Sequence, residues 1–468
     1  MPPSSSSSTS SPISITSQLV VHPSDPAAAN HPPLRLSASD LPMLSCHYIQ
    51  KGVLLPLPPP SLIPSLPSLF RRALSSVLSL FPPLASRLSS SRHILLPSAG
   101  GVPLVFASAP AISSLSLLDP VSVPSTLIND LFLLDRVVSY HGRTLPLLAV
   151  KVTVIADGIF VGLSADHAVV DGTSFWHFFN SFATVARTDA ANIKILPDFS
   201  RDGSPFDTAA VLSFPAGGPA VSFSQDQPIR ERIFHFSREA ILKLKELTNK
   251  DKPWCGNWTT ENNSEIMGKQ SNDKINVKTS AVVEISSFQS LCALMWQSVT
   301  RARKLSSEKT TTFRMAVNCR HRVEPRMDPY YFGNAIQSTA TVAKVGELLS
   351  NSLEWSAGLL HDNVVKHGND RVRQRVAEWE ADPRVFPLGN FDGASMTMGS
   401  SPRFPMYNND FGWGKPVAVR SGAANKFDGK MSAFPGREGD GSVDLEVVLC
   451  CDAMDRIEAD SEFMQYCS

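Results

Sequence analysis

Ser164-Ala165-Asp166-His167-Ala168-Val169-Val170-Asp171-Gly172 is the stretch on which the fold reading turns. It follows two apolar, β-branched runs, Leu147 to Ile155 and Ile159 to Leu163, joined by Asp157-Gly158. Asp-Gly between such runs signals a hairpin, so His167 is expected just beyond its second strand. After Gly172, Thr173 or Ser174 can cap a helix. Phe175, Phe178, Phe179, Phe182 and Ala186 then share one helical face, a stripe that reads as core packing. Histidine has the unperturbed pKa nearest to neutral pH, which suits it to proton transfer. A polar turn that leaves a strand and enters an aromatic helix can fix an imidazole at the edge of a core.

Outward from this stretch, Ile13 to Val21 reads as a first strand. Ser61 to Leu88 is helical in its middle, with Leu69, Ala73, Val77, Leu78 and Phe81 at helical spacings and Pro82-Pro83 as the stop. Pro197 to Gln227 is rich in Gly, Pro, Ser and Asp and reads as a linker. Beyond it come a strand at Ile233 to Phe236, a helix from Ser237 to Leu247 and a polar surface insertion from Asn249 to Lys278. An amphipathic helix from Phe288 to Arg303, an alternating strand from Val443 to Leu449 and a helix from Ala453 to Tyr466 complete the pass.

The chain has 468 residues, which favours two domains. With 43% hydrophobic and 18% charged residues it can build large cores. Lys plus Arg and Asp plus Glu balance at 43 each, which removes any global field for nucleic acid or an anionic membrane. No run approaches the roughly 20 apolar residues of a transmembrane helix. The 7 cysteines are scattered without a C-x-x-C pair, as expected of a reducing compartment. Adjacent Cys450 and Cys451 read as buried thiols. Met1 to Ser11, almost pure Ser, Pro and Thr, reads as a disordered tail rather than a transit peptide, because no arginine precedes Arg35. The sequons at Asn257 and Asn262 read as chance. No His/Cys cluster has metal spacing, so no metal is expected.

Among the 11 histidines, only His167 has an aspartate four residues on. That spacing alone is weak evidence. A second segment, Asn409-Asp410-Phe411-Gly412-Trp413-Gly414-Lys415-Pro416, reads as a sharply folded loop. Together the two resemble the plant BAHD acyltransferases, the coenzyme A-dependent family marked by H-x-x-x-D and D-F-G-W-G. Further segments carry the resemblance along nearly the whole chain: Leu36 to Leu41, Phe81 to Leu88, Ile285 to Phe288 with Trp296 and Arg301 to Arg303, Asn318 to Arg322, and Tyr331 to Asn334. The text from Cys46 to Gly52 is similar to an uncharacterised plant acetyltransferase-like branch of the family.

The resemblance implies an α/β fold of two chloramphenicol acetyltransferase-like domains joined by a crossover loop, with an active-site channel at their interface. The N-terminal domain would span residues 12–196 and carry H-x-x-x-D-G, the crossover 197–227, and the C-terminal domain 228–468 with D-F-G-W-G. It further implies transfer of an acyl group from acyl-CoA to a hydroxyl or amine of a small acceptor. His167 would be the general base, and no cofactor would be tightly bound. Asp410 is a second catalytic candidate, although its loop composition favours a structural anchor. Asp171, paired with Arg320, would hold the turn together with Gly172. Gly412, Trp413 and Gly414 would shape the second loop, with Trp413 on the far wall of the channel. Ser286 and Ser287, ahead of a long helix, are candidates for the CoA phosphates, with Arg301 and Arg303 as further cations. Arg403 would be the cation for a malonyl donor. A soluble cytoplasmic monomer is expected. Lyase chemistry on the same scaffold and non-catalytic small-molecule binding are the alternatives.

Overall fold

The computed structural model describes residues 12–89, 94–96, 100–118, 125–188, 190–224, 227–250 and 284–468. The serine-rich tail, both sequons and most of the polar insertion fall outside them.

Two six-stranded mixed sheets organise the described residues. The first runs in the order Ser14–Val21, Val102–Ala109, Leu148–Ile155, Gly158–Ala165, Ile49–Pro56, Ala418–Ser421. The second runs Ile336–Lys344, Thr310–Asn318, Met396–Met398, Lys430–Pro435, Val443–Cys450, Ile229–Phe236. The Asp-Gly hairpin forms as the sequence predicts, with Val152 opposite Val161. Its second strand is buried at every position, which is why its residues are apolar or small rather than alternating.

Each sheet buries one face under helices. Helices Leu66–Leu80 and Gly172–Arg187 cover the first, where Phe70, Phe178, Phe179 and Phe182 all enter one core. The predicted aromatic stripe is therefore packing. Helices Ser287–Ala302 and Leu353–Val365 cover the second, with Trp296 donating from its indole N–H to Thr311 Oγ1 at 3.1 Å. The segment 197–224 has no helix or strand of its own. It is tied by Ala38 N–H to Phe206 O (2.8 Å) and by Phe332 N–H to Asp198 O (2.7 Å).

Three sequence expectations change. The boundary at residue 228 does not separate the sheets, because Ala418–Ser421 crosses back to pair with Ile49–Pro56. Ala418 and Val419 are apolar and buried there, and that strand closes an edge that would otherwise be open. The C-terminal helix is two, Cys451–Glu458 and Ser461–Met464, because Asp460 caps a new start through Glu462 N–H. Cys450 and Cys451 are half-buried rather than buried, since they stand where a strand emerges into a surface helix.

Candidate active site

The hairpin's second strand ends at Ala165, and the chain turns at once. Val169 and Val170 N–H return to Asp166 O at 3.0 and 3.2 Å, and Ala168 N–H reaches Asp166 Oδ1 at 2.9 Å. The helix cap is Asp171, not Thr173 or Ser174: its Oδ1 accepts Ser174 N–H at 3.0 Å while its backbone stays extended. A carboxylate accepts from the helix start and favours its positive end, so it outcompetes a hydroxyl here. Gly172 leaves room for the Phe404 ring, whose Cζ would stand 2.6 Å from a Cβ there.

Asp171 points away from the cavity described below and pairs with Arg320, as the resemblance implies. Arg320 Nη1 and Nη2 donate to Asp171 Oδ2 and Oδ1 at 2.7 and 3.1 Å, a bidentate fork. Both side chains are 0% exposed. The remaining valences are filled: Arg320 Nη2 donates to Tyr331 O (2.9 Å) and Gly333 O (3.0 Å), and Ala335 N–H donates to Asp171 Oδ2 at 3.1 Å. A buried ion pair is tolerable only when satisfied in this way.

His167 is held by its main chain from both halves of the molecule. Its N–H donates to Ser139 Oγ at 3.0 Å, and its carbonyl accepts from Asn334 Nδ2 at 2.8 Å. Asn334 is fixed in turn by fully buried Asp40, whose Oδ1 accepts Asn334 N–H and Nδ2 at 2.6 and 2.9 Å. Nothing in the local sequence gives Asp40 or Asn334 a role at His167.

The imidazole lines a cavity of about 460 Å³, a size suited to a small molecule. Met43 and Cys46 border it from the N-terminal half, while Arg314, Thr397 and Lys430 border it from the second sheet. Phe386 and Trp379 add apolar surface. Burial pushes the His167 pKa below its ordinary value, and the field of Lys430 adds to that push against the opposite pull of Asp171. The neutral imidazole, able to accept a proton, is therefore the form at pH 7. Beside it, burial raises the Asp166 carboxyl to about 7, against the opposing Ala168 N–H.

The Asp410 loop lies elsewhere. Asp410 Oδ1 accepts Gly412 and Gly414 N–H at 2.8 and 3.1 Å, and Oδ2 meets Arg187 at 3.3 Å. Burial acts to raise its pKa, but those N–H groups and Arg187 outweigh it and hold the carboxyl below its ordinary value. Gly412 and Gly414 have φ of 115° and 133°, where a side chain would be strained. Phe411 stacks on Phe70 at 5.0 Å, and Trp413 donates to Pro56 O at 3.1 Å. Neither Asp410 nor Trp413 borders the cavity with His167. Trp413 is half-buried and packs against the N-terminal core, where its loop is held by the aromatic cluster.

Of the serine candidates for phosphate, Ser286 is otherwise engaged. Ser286 Oγ accepts Gln289 N–H at 3.3 Å while Gln289 Oε1 accepts Ser286 N–H at 2.9 Å, a capping box. Neither Ser286 nor Ser287 borders the cavity. Arg301 pairs with Asp460 at 2.9 Å and Arg303 with Asp428 at 2.8 Å, so both are structural cations. Arg403 is exposed and outside the cavity. Among the described residues no group of His, Cys, Asp and Glu could hold a metal ion, and no helix is long and apolar enough to cross a membrane.

Residues 11–464 match the model of the Transferase family. The chain is 33% identical over 340 residues to the BAHD acyltransferase DCR of Arabidopsis thaliana, covering 70% of this chain and 65% of that protein. It is 29% identical over 450 residues to an uncharacterized acetyltransferase of the same plant, covering 93% and 94%. In structure it resembles TRI101 of F. graminearum complexed with coenzyme A and deoxynivalenol, with a TM-score of 0.72 at 18% identity, covering 93% and 99%. A half-buried histidine at the edge of a cavity that the second sheet borders is thus set in the frame of an acyltransferase. The chain belongs to the Transferase family, as one of the plant BAHD acyltransferases.

Proposed function

We propose that this protein moves an acyl group from acyl-CoA to a hydroxyl or amine of a small acceptor, with His167 as general base. The observation that carries this reading is the neutral imidazole at the cavity edge, its main chain clamped by Ser139 and Asn334. His167 takes the acceptor's proton as the acceptor heteroatom attacks the thioester carbonyl. A tetrahedral oxyanion forms, then collapses with cleavage of the C–S bond. The imidazolium returns its proton to the departing CoA thiolate. No acyl-enzyme is required, in keeping with Cys46, Cys292 and Cys319, whose burial pushes their thiols well above the ordinary range and suppresses thiolate nucleophiles. Asp171 and Arg320 hold the turn, and Asp410 anchors its loop. The working form is a cytoplasmic monomer with acyl-CoA as co-substrate and no tightly bound cofactor.

The test is release of free CoA thiol from a panel of acyl-CoAs with alcohol and amine acceptors. His167→Ala should lower acceptor-dependent release by roughly 10²–10⁴-fold, the usual worth of general-base help. Undiminished release would refute the mechanism. Because the unprotonated base is the active form and burial holds its pKa below the ordinary histidine value, kcat/KM should be flat near neutrality and fall only when acidification reaches that lowered pKa.

A further inference from the structure

One face of the second sheet meets the cavity with an excess of positive charge. Cross-strand register sets Arg314 beside Thr397, and Thr397 beside Lys430. Residues in lateral register point to the same face of a sheet. All three border the cavity that His167 edges. At the usual strand spacing the Arg314 and Lys430 backbones stand about 10 Å apart, with Thr397 between them. Long side chains from both can close on one group above that threonine.

Neither cation is neutralised. Arg314 and Lys430 form no hydrogen bond or ion pair with another side chain among the described residues, whereas the remaining cavity arginines are engaged: Arg375 by Ser338 O and Arg384 by Asp382. Glu378 is the one carboxylate bordering the cavity among the described residues, and it is 53% exposed and turned to Arg371 at 3.7 Å. Glu446, whose field reaches Lys430, is engaged by Lys426 at 3.5 Å. The Lys430 ammonium lies directly over Gly399, because a Cβ there would stand 1.9 Å from Nζ. Burial pushes the Lys430 pKa down to about 8, the cost of holding an ammonium there without a counter-charge. An anionic ligand would remove that cost.

We propose that Arg314 and Lys430, flanking Thr397, form a subsite for a carboxylate carried by one of the two substrates. The assignment rests on the acyl-transfer reading above and deepens it: it makes charge on the substrate, rather than its apolar body, the selected feature. Arg403, the cation singled out in the sequence, has no part in it.

The test compares charged and neutral twins by calorimetric binding to the full-length protein. The probes are 4-hydroxybenzoate against 4-hydroxybenzamide, 3-hydroxybutyrate against 3-hydroxybutyramide, and malonyl-CoA against acetyl-CoA. At least one charged member should bind roughly ten- to a hundredfold tighter than its twin, the worth of a charge-assisted hydrogen bond. R314Q and K430M should each carry that ratio towards unity, with melting curves to establish folding, and R403Q should leave it intact. A preference among the free hydroxy acids places the carboxylate on the acceptor. A preference confined to malonyl-CoA places it on the acyl chain. Equal binding of every pair, or a preference that survives both R314Q and K430M, overturns the subsite. Failure of acyl transfer itself would show separately, as thiol release indifferent to His167→Ala.

Discussion

Asp171→Ala tests the division of labour within the motif. The substitution strips Arg320 of two charge-assisted bonds, at 2.7 and 3.1 Å, and leaves its guanidinium 0% exposed and without a counter-ion. It also removes the acceptor of Ser174 N–H, which caps the helix after His167, and of Ala335 N–H. Breaking a buried pair on one side costs about 3–5 kcal/mol, and losing a cap adds ~1 kcal/mol. Against the roughly 5–15 kcal/mol that holds an ordinary domain, this is a large fraction. At roughly 2–4 °C per kcal/mol for a folding unit of 150–250 residues, Tm should fall by about 8–24 °C. Urea titration and thermal melting of the soluble fraction measure it. Asp171→Ala combined with Arg320→Leu should be less destabilised than the sum of the two single variants, since no uncompensated charge is left behind. An Asp171→Ala variant within about 0.5 kcal/mol of wild type would refute the reasoning.

Two further outcomes follow from the site. Asp410→Asn keeps an oxygen for Gly412 and Gly414 N–H, so thiol release should stay within a few-fold of wild type; a loss of about 10² or more would make Asp410 catalytic after all. Asp166 has a folded pKa of about 7, far above the unfolded carboxylate value, so the native state holds the extra proton. Its contribution to stability therefore falls as pH rises from about 4 to about 7, at up to ~1.4 kcal/mol per pH unit, and is level above. Asp166→Asn should lack that slope, read as the difference between the urea stability curves of the two proteins, and parallel curves would sink the assignment.

Local rules were legible where local physics decides. Asp157-Gly158 between β-branched runs marked its hairpin, and the phenylalanine spacing after Gly172 marked a packed helix. The pairing of Asp171 with Arg320 came through family resemblance, since nothing local links residues 149 positions apart. Missed altogether were the clamp of Asp40 and Asn334 on His167, formed across 294 and 167 positions, and the return of Ala418–Ser421 to the first sheet. Ser286 misled for a related reason: a helix start that can attract phosphate can equally be closed by its own Gln289.

By itself the sequence determined the strand-turn-helix that carries His167, while the two-domain α/β class and the choice of that histidine came through family resemblance. The former depends on hydrophobic period and turn chemistry, which act over a few residues. Only the tertiary structure decided what surrounds the imidazole. It turned Asp171 away onto Arg320, left Asp410 to anchor a loop whose Phe411 enters the aromatic core, and brought Arg314 and Lys430 to the cavity from the strands on either side of Met396–Met398. Burial and cross-strand register set those placements, and both arise only when distant segments pack.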